Sequence, residues 1–120
     1  MLEESAYPAR EEREGPLRER EVLTEKEILA GKEPILLTFS APWCPPCRAL
    51  KPILDRIARE LGKNLKVLVV DADRNPSLVG RFGVEGVPTS LLVVDGEVKD
   101  RIMGVQPFET FRKRLEKALA

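Results

Sequence analysis

The stretch "PILLTFSAPWCPPCRALKPILDRIARELG", Pro34 to Gly62, decides the fold. It opens with a continuous apolar run, Pro34 to Ala41, suited to a strand covered on both faces. It closes with apolar residues at 50, 53, 54, 57, 58 and 61, the period of an amphipathic helix, and Gly62 stands as its terminator. Between them lie the only tryptophan, Trp43, and the only two cysteines, Cys44 and Cys47. Pro45 and Pro46 fall at the first two helical positions. Their missing N–H groups have no helical partner there, and their fixed φ suits a helix start. Cys44 is thereby placed at the helix cap, facing free backbone N–H groups and the positive end of the dipole, which favours thiolate over thiol. Three residues on, Cys47 can face Cys44, donate its N–H to the Cys44 sulfur and reach it for a disulfide. The prolines stiffen the turn but also remove two amide dipoles, so their effects on redox poise oppose each other.

Outward from this stretch the elements alternate. "REVL", Arg20 to Leu23, is a short strand candidate. Thr24 and Glu27 form a capping box for a short helix that Gly31 ends. "LKVLVVDAD" is a second buried strand. "NPSLVGRFG" opens with a cap-and-proline pair and reads as a short helix. "SLLVVDGEVKDRIM" reads as two strands around Asp95–Gly96, a strong hairpin signal. "QPFETFRKRLEKALA" predicts a last amphipathic helix with Phe108, Phe111, Leu115 and Ala118/Leu119 on one face. The order β-α-β-α-β-α-β-β-α predicts an α/β fold. Its central mixed sheet of about five strands is flanked by about four helices, with parallel pairs first and an antiparallel hairpin after.

Composition narrows the function. A chain of 120 residues suggests one small domain, and 42% hydrophobic residues allow a modest core. Residues 1–19 are Glu/Arg-rich with no sustained periodicity and are expected to be a charged, solvated extension, with a helical turn near Ala9–Glu14; residues 20–120 form the domain. Twenty basic and twenty acidic residues balance, so no basic footprint for nucleic acid is expected. No run reaches the 18 or so apolar residues of a membrane span, and "MLEESAYPAR" lacks the pattern of a secretory signal. A cytoplasmic location follows as the expectation, and there a close cysteine pair is catalytic or metal-binding more often than structural. Histidine is absent. Zinc needs about four ligands, which two cysteines within one chain do not supply. A metal shared between two chains and a purely structural thiol pair are the other readings, set against a redox dithiol beside a βαβ unit.

Residues 20–120 resemble the thioredoxin family. The features that carry it are "APWCPPCRALKPIL", "DADRNPSLVGRFGVEGVPT", "VVDGEV" and "MGVQP". The resemblance implies a thioredoxin fold and a thiol–disulfide oxidoreductase that reduces protein disulfides through a mixed disulfide, with no bound cofactor and no metal. It implies that Cys44 attacks, that Cys47 resolves, and that the two close a disulfide. Trp43 would flank the dithiol. Pro88 would be cis, between Val87, which offers backbone hydrogen bonds to a substrate strand, and Thr89. Gly104 would keep the adjacent surface low for a docking polypeptide, and Pro52 would kink the long helix.

Pro45, Pro46 and Thr38 would tune the site. Where the family buries an aspartate, with a lysine on the next strand, this chain has Thr38 and Val69. A threonine hydroxyl can hydrogen-bond but cannot accept the resolving thiol's proton near neutral pH. Glu85 reads as a partner-contact or solvated residue. The implied partners are disulfide-containing proteins and a thioredoxin reductase or similar donor, with the chain a monomer. A thioredoxin-fold binding or chaperone module, and a disulfide oxidase or isomerase, stand as the alternatives.

Overall fold

The computed structural model describes residues 17–20, 26, 28 and 33–120. Strands β1 (Leu17–Arg20), β2 (Ile35–Ser40), β3 (Lys66–Asp71), β4 (Thr89–Val94) and β5 (Glu97–Met103) form one five-stranded sheet in the order β1-β3-β2-β4-β5. The pairs β1/β3 and β2/β3 are parallel, and β2/β4 and β4/β5 are antiparallel. Helices α1 (Pro45–Leu61), α2 (Pro76–Phe82) and α3 (Phe108–Leu119) cover it, and Lys26 and Ile28 also have helical backbone. This is the mixed sheet expected of the sequence.

Strand alternation sorts the core into two layers. Leu36, Val67, Leu92 and Ile102 face α1 and α3, against Leu50, Leu54, Ile57, Phe111 and Leu115. Leu37, Phe39, Leu68, Val70 and Leu91 face the other way, against Leu78 and Phe82 of α2 and against Ile28. Burial of the central strands on both faces explains why "PILLTFSA" reads as an unbroken apolar run. The hairpin turns on Asp95 and Gly96, both at positive φ (52° and 80°), the pairing that suits strand twist. A bulge between Leu92 and Val93 interrupts its ladder.

Several expectations need correction. The first strand lies at Leu17–Arg20, pairing with Val67–Val70, and so starts three residues before the "REVL" reading and inside the expected extension. "LRER" carries little apolar signal because an edge strand is held by backbone pairing. Residues 21–23, the Thr24–Glu27 capping box, Gly31 and the Ala9–Glu14 turn lie outside the described residues. Gly62 ends α1 in right-handed backbone (φ −73°), so it terminates the helix without the left-handed cap. Leu119 is exposed, and the buried stripe of α3 is Phe108, Phe111 and Leu115. Asn75 caps α2 by position only, because its side-chain amide donates to the Asp71 carbonyl instead (2.7 Å). A 3₁₀ turn, Ala72–Arg74, separates β3 from α2 and was not foreseen.

Candidate active site

The dithiol sits where β2 gives way to α1, at the carboxyl end of the central strands, the place where open α/β sheets gather their sites. Cys44 is the N-cap of α1 in extended backbone (φ −100°, ψ 108°), and Pro45 and Pro46 follow as the first helical residues. Cys44 and Cys47 are joined as a disulfide with Cα atoms 5.3 Å apart. The Cys47 N–H points at the Cys44 sulfur (3.2 Å). This is the one capping bond the two prolines leave available at this turn, since neither has an N–H to give. On reduction the same amide and the helix dipole favour negative charge on that sulfur.

Both cysteines are buried, packed with Ala41 and half-buried Val87. The Cys44 sulfur lies 3.8 Å from the Val87 carbonyl oxygen. Val87 precedes β4, so its N–H and C=O are outside the sheet ladder. The Val87–Pro88 peptide bond is cis. Gly104 brings the end of β5 alongside: its N–H donates to the Pro88 carbonyl (2.9 Å). Its φ of +75° is what requires glycine, since a Cβ would meet open space.

The sequence-derived residues thus divide. Cys44, Cys47, Trp43, Val87, Pro88 and Gly104 come together. Trp43 is 65% exposed, the most exposed large apolar side chain among the described residues. Thr89 is buried, and its hydroxyl donates to the Gly86 carbonyl (2.6 Å), so its side chain supports the loop from beneath. Glu85 is exposed on the same loop, and Pro52 lies within α1 on its exposed side.

Thr38 is buried on the face that α1 covers, between Val69 on β3 and Ser90 on β4. Its hydroxyl pairs with that of Ser90 at 2.9 Å. A neutral hydroxyl pair thus stands at Thr38, where the family buries an acid, and apolar Val69 stands beside it at the position of the family's lysine, which removes the cost of burying a charge there.

Sequence reasoning missed three residues. Asp73 accepts a hydrogen bond from the Trp43 indole N–H (2.7 Å). The available signal was "DAD" at the carboxyl end of a buried strand. Ser90 is visible as a polar residue inside an apolar run, but only the strand register gives it Thr38 as a partner. Arg101 donates to the Phe82 carbonyl (2.8 Å) and, at 3.5 Å, to that of Gly83; nothing in the sequence signals this.

Among the described residues no helix is long and apolar enough to cross a membrane. A family model described as Thioredoxin matches residues 19–117. Thioredoxin 1 of Synechococcus elongatus is 37% identical over 94 residues, covering 78% of this chain and 88% of that protein. A thioredoxin of Rickettsia felis is 42% identical over 81 residues, 68% of this chain and 77% of that one. Among solved structures, a mutant thioredoxin from Halobacterium salinarum NRC-1 superposes with a TM-score of 0.75 at 29% identity, covering 85% of this chain and 89% of the other.

Proposed function

The chain belongs to the thioredoxin family, and on that premise we propose how its residues divide the work of reducing a protein disulfide. The activity itself is that of a thiol–disulfide oxidoreductase. The observation that carries the division is the asymmetry of the pair: Cys44 caps the helix and receives the Cys47 N–H, while Cys47 lies within the first turn.

Cys44, as thiolate, attacks one sulfur of a substrate disulfide. A Cys44–substrate bond forms, the substrate S–S bond breaks, and the first substrate thiolate leaves and takes a proton. Cys47 then loses its proton and attacks the Cys44 sulfur. The mixed disulfide breaks, the second substrate sulfur leaves as a thiolate and takes a proton, and the Cys44–Cys47 disulfide closes. Counting the proton that Cys44 gave up to solvent on becoming a thiolate, the dithiol has lost two electrons and two protons, and the substrate has gained two of each. The disulfide of this structure is the state at the end of that sequence. A thioredoxin reductase or similar donor resets it.

Substrate docks beside exposed Trp43, against the Val87–Pro88 backbone and the low surface at Gly104. Val87 supports this role because its carbonyl faces the Cys44 sulfur and neither of its backbone groups is committed to the sheet. Pro45 and Pro46 tune the attacking sulfur by limiting its amide donors to Cys47. The Thr38–Ser90 pair leaves the resolving thiol to give up its proton without a buried acid. We place the chain in a reducing compartment, the cytoplasm, as a monomer, with the charged stretch before Leu17 as an extension of a domain that begins at β1.

The test is insulin reduction by Cys44→Ser and Cys47→Ser. Cys44→Ser is expected to lose turnover altogether. Cys47→Ser is expected to trap a mixed disulfide, seen as a mass adduct on Cys44. Full turnover by both variants would sink the reading.

A further inference from the structure

Helix α2 ends in a left-handed residue, Gly83 (φ 64°), with the Gly83 N–H on the Gly80 carbonyl (3.3 Å) and the Val84 N–H on the Val79 carbonyl (2.9 Å). That closure satisfies carbonyls one turn back. It leaves those of Phe82 and Gly83 facing outward, at the negative end of the helix. Arg101, reaching across from β5, meets them with two guanidinium nitrogens, at 2.8 Å to Phe82 and 3.5 Å to Gly83. A cation at a helix C-terminus is favourable for both the hydrogen bonds and the dipole.

The place matters more than the bond. Only Val84 to Val87 separate this helix end from Pro88. The far end of the same loop is held by the Gly104 N–H on the Pro88 carbonyl and by the Thr89 hydroxyl on the Gly86 carbonyl. Both long-range holds, Arg101 and Gly104, therefore come from β5 and the residue after it. Arg101 is itself held in place from α3. Arg114 bridges Asp100 (2.6 Å) and donates to the Arg101 carbonyl (3.0 Å).

We propose that Arg101 is a positioning residue for substrate docking: its grip on the end of α2 sets where the loop presents the Val87 backbone to an incoming polypeptide. Arg101 touches neither cysteine, so the chemistry of the dithiol does not depend on it. Protein disulfides, which need backbone pairing, do. This rests on the reading that substrate pairs with Val87.

The experiment compares Arg101→Gln and Arg101→Lys with the unaltered protein on two substrates: insulin, and a small aromatic disulfide, dithiobis-nitrobenzoate, too small to pair along a backbone. In Arg101→Gln, KM for insulin is expected to rise roughly three- to tenfold, the loss of one charge-assisted hydrogen bond. Both kcat and the rate with the small disulfide should stay within about twofold. Arg101→Lys, able to reach one carbonyl, should recover part of the KM. Amide exchange at Gly83 and Val84, whose N–H groups close the end of α2, should speed up in Arg101→Gln, and this measurement stands even if activity is hard to read. An unchanged KM with unchanged exchange overturns the inference. So does an equal fall on both substrates, which would mean general damage. A different result marks failure of the underlying reading: unaltered protein that reduces the small disulfide but never insulin.

Discussion

The loop that carries the dithiol is held by its own neighbours in sequence, whereas the loop that carries Val87 is held from strands far along the chain. At residues 41–44 the Cys44 N–H meets the Ala41 carbonyl (3.2 Å), Arg48 donates to the Pro42 carbonyl (3.0 Å), and Cys47 closes on Cys44. All of these span six residues or fewer. At residues 82–88 the holds from Arg101 and Gly104 span 19 and 16 residues. Sulfur chemistry is thus encoded locally, in a capped helix start. Substrate docking depends on tertiary structure, on how β5 and α3 pack. The two functions can be damaged separately.

Besides the contact of Cys44 with Val87, a buried hydroxyl pair ties together the strands that bear the two loops, and breaking it should have the largest effect on stability. Thr38 lies on the strand that enters the dithiol loop, and Ser90 on the strand that leaves the docking loop. Thr38→Val leaves the Ser90 hydroxyl buried and unpaired, and Ser90→Ala does the same to Thr38, so each is expected to cost about 1–3 kcal/mol. The double variant should cost clearly less than the sum, since no orphan remains. Urea unfolding of all four proteins measures this. Strict additivity would show that the hydroxyls are satisfied elsewhere and that the loops are not coupled here.

A smaller effect is expected at Trp43, whose bond to Asp73 holds the dithiol loop across 30 residues. Asp73→Ala removes the acceptor of the indole N–H, and Asp73→Asn keeps an amide oxygen in its place. Loosening of the ring should shift Trp43 emission and lower its anisotropy in the alanine variant, with the asparagine variant between. Because the bond is exposed, activity should fall by no more than about threefold. Insulin and the small disulfide should fall together, because the ring flanks the sulfurs themselves. A selective loss on insulin alone would place Trp43 with the docking loop and undo the division drawn above.

The same contrast governs how much could be read from the sequence. The dithiol's geometry was legible because each determinant is a neighbour: a buried strand, a cysteine at the cap, two prolines in the first turn, a second cysteine one turn on. The α1 stripe and the Asp95–Gly96 hairpin were legible for the same reason. Edge strand β1 was not, because "LRER" carries almost no apolar pattern and its place shows only in its backbone pairing with Val67–Val70. Ser90, Asp73 and Arg101 were not, because each acts on partners at least 18 residues away. Thr38 was singled out only through resemblance. That its hydroxyl is answered by another hydroxyl needed the register of β2 against β4.

The smallest expected effect lies at the outer support of the docking loop, the Arg114–Asp100 pair. The hydrogen bond from Arg114 is the main cause holding the Asp100 carboxyl below its ordinary range, against a partial opposing effect of burial. A carboxylate whose pKa is lowered on folding adds stability that is present above its unfolded value, about 3.9, and is lost as pH falls through the lower folded value. The pair is partly exposed, with 43% of the Arg114 and 23% of the Asp100 side chain open to solvent, so screening limits it to about 0.3–1 kcal/mol. Arg114→Gln should therefore be less stable than the unaltered protein near pH 7 and in low salt. The gap should narrow steadily below about pH 4 and under added salt. A gap that widens in acid would show that Asp100 is not the partner that matters. If Arg114 acts only by steadying Asp100 and Arg101, its loss should raise KM for insulin less than Arg101→Gln does; a larger rise would move the controlling hold on the docking loop from β5 out to α3.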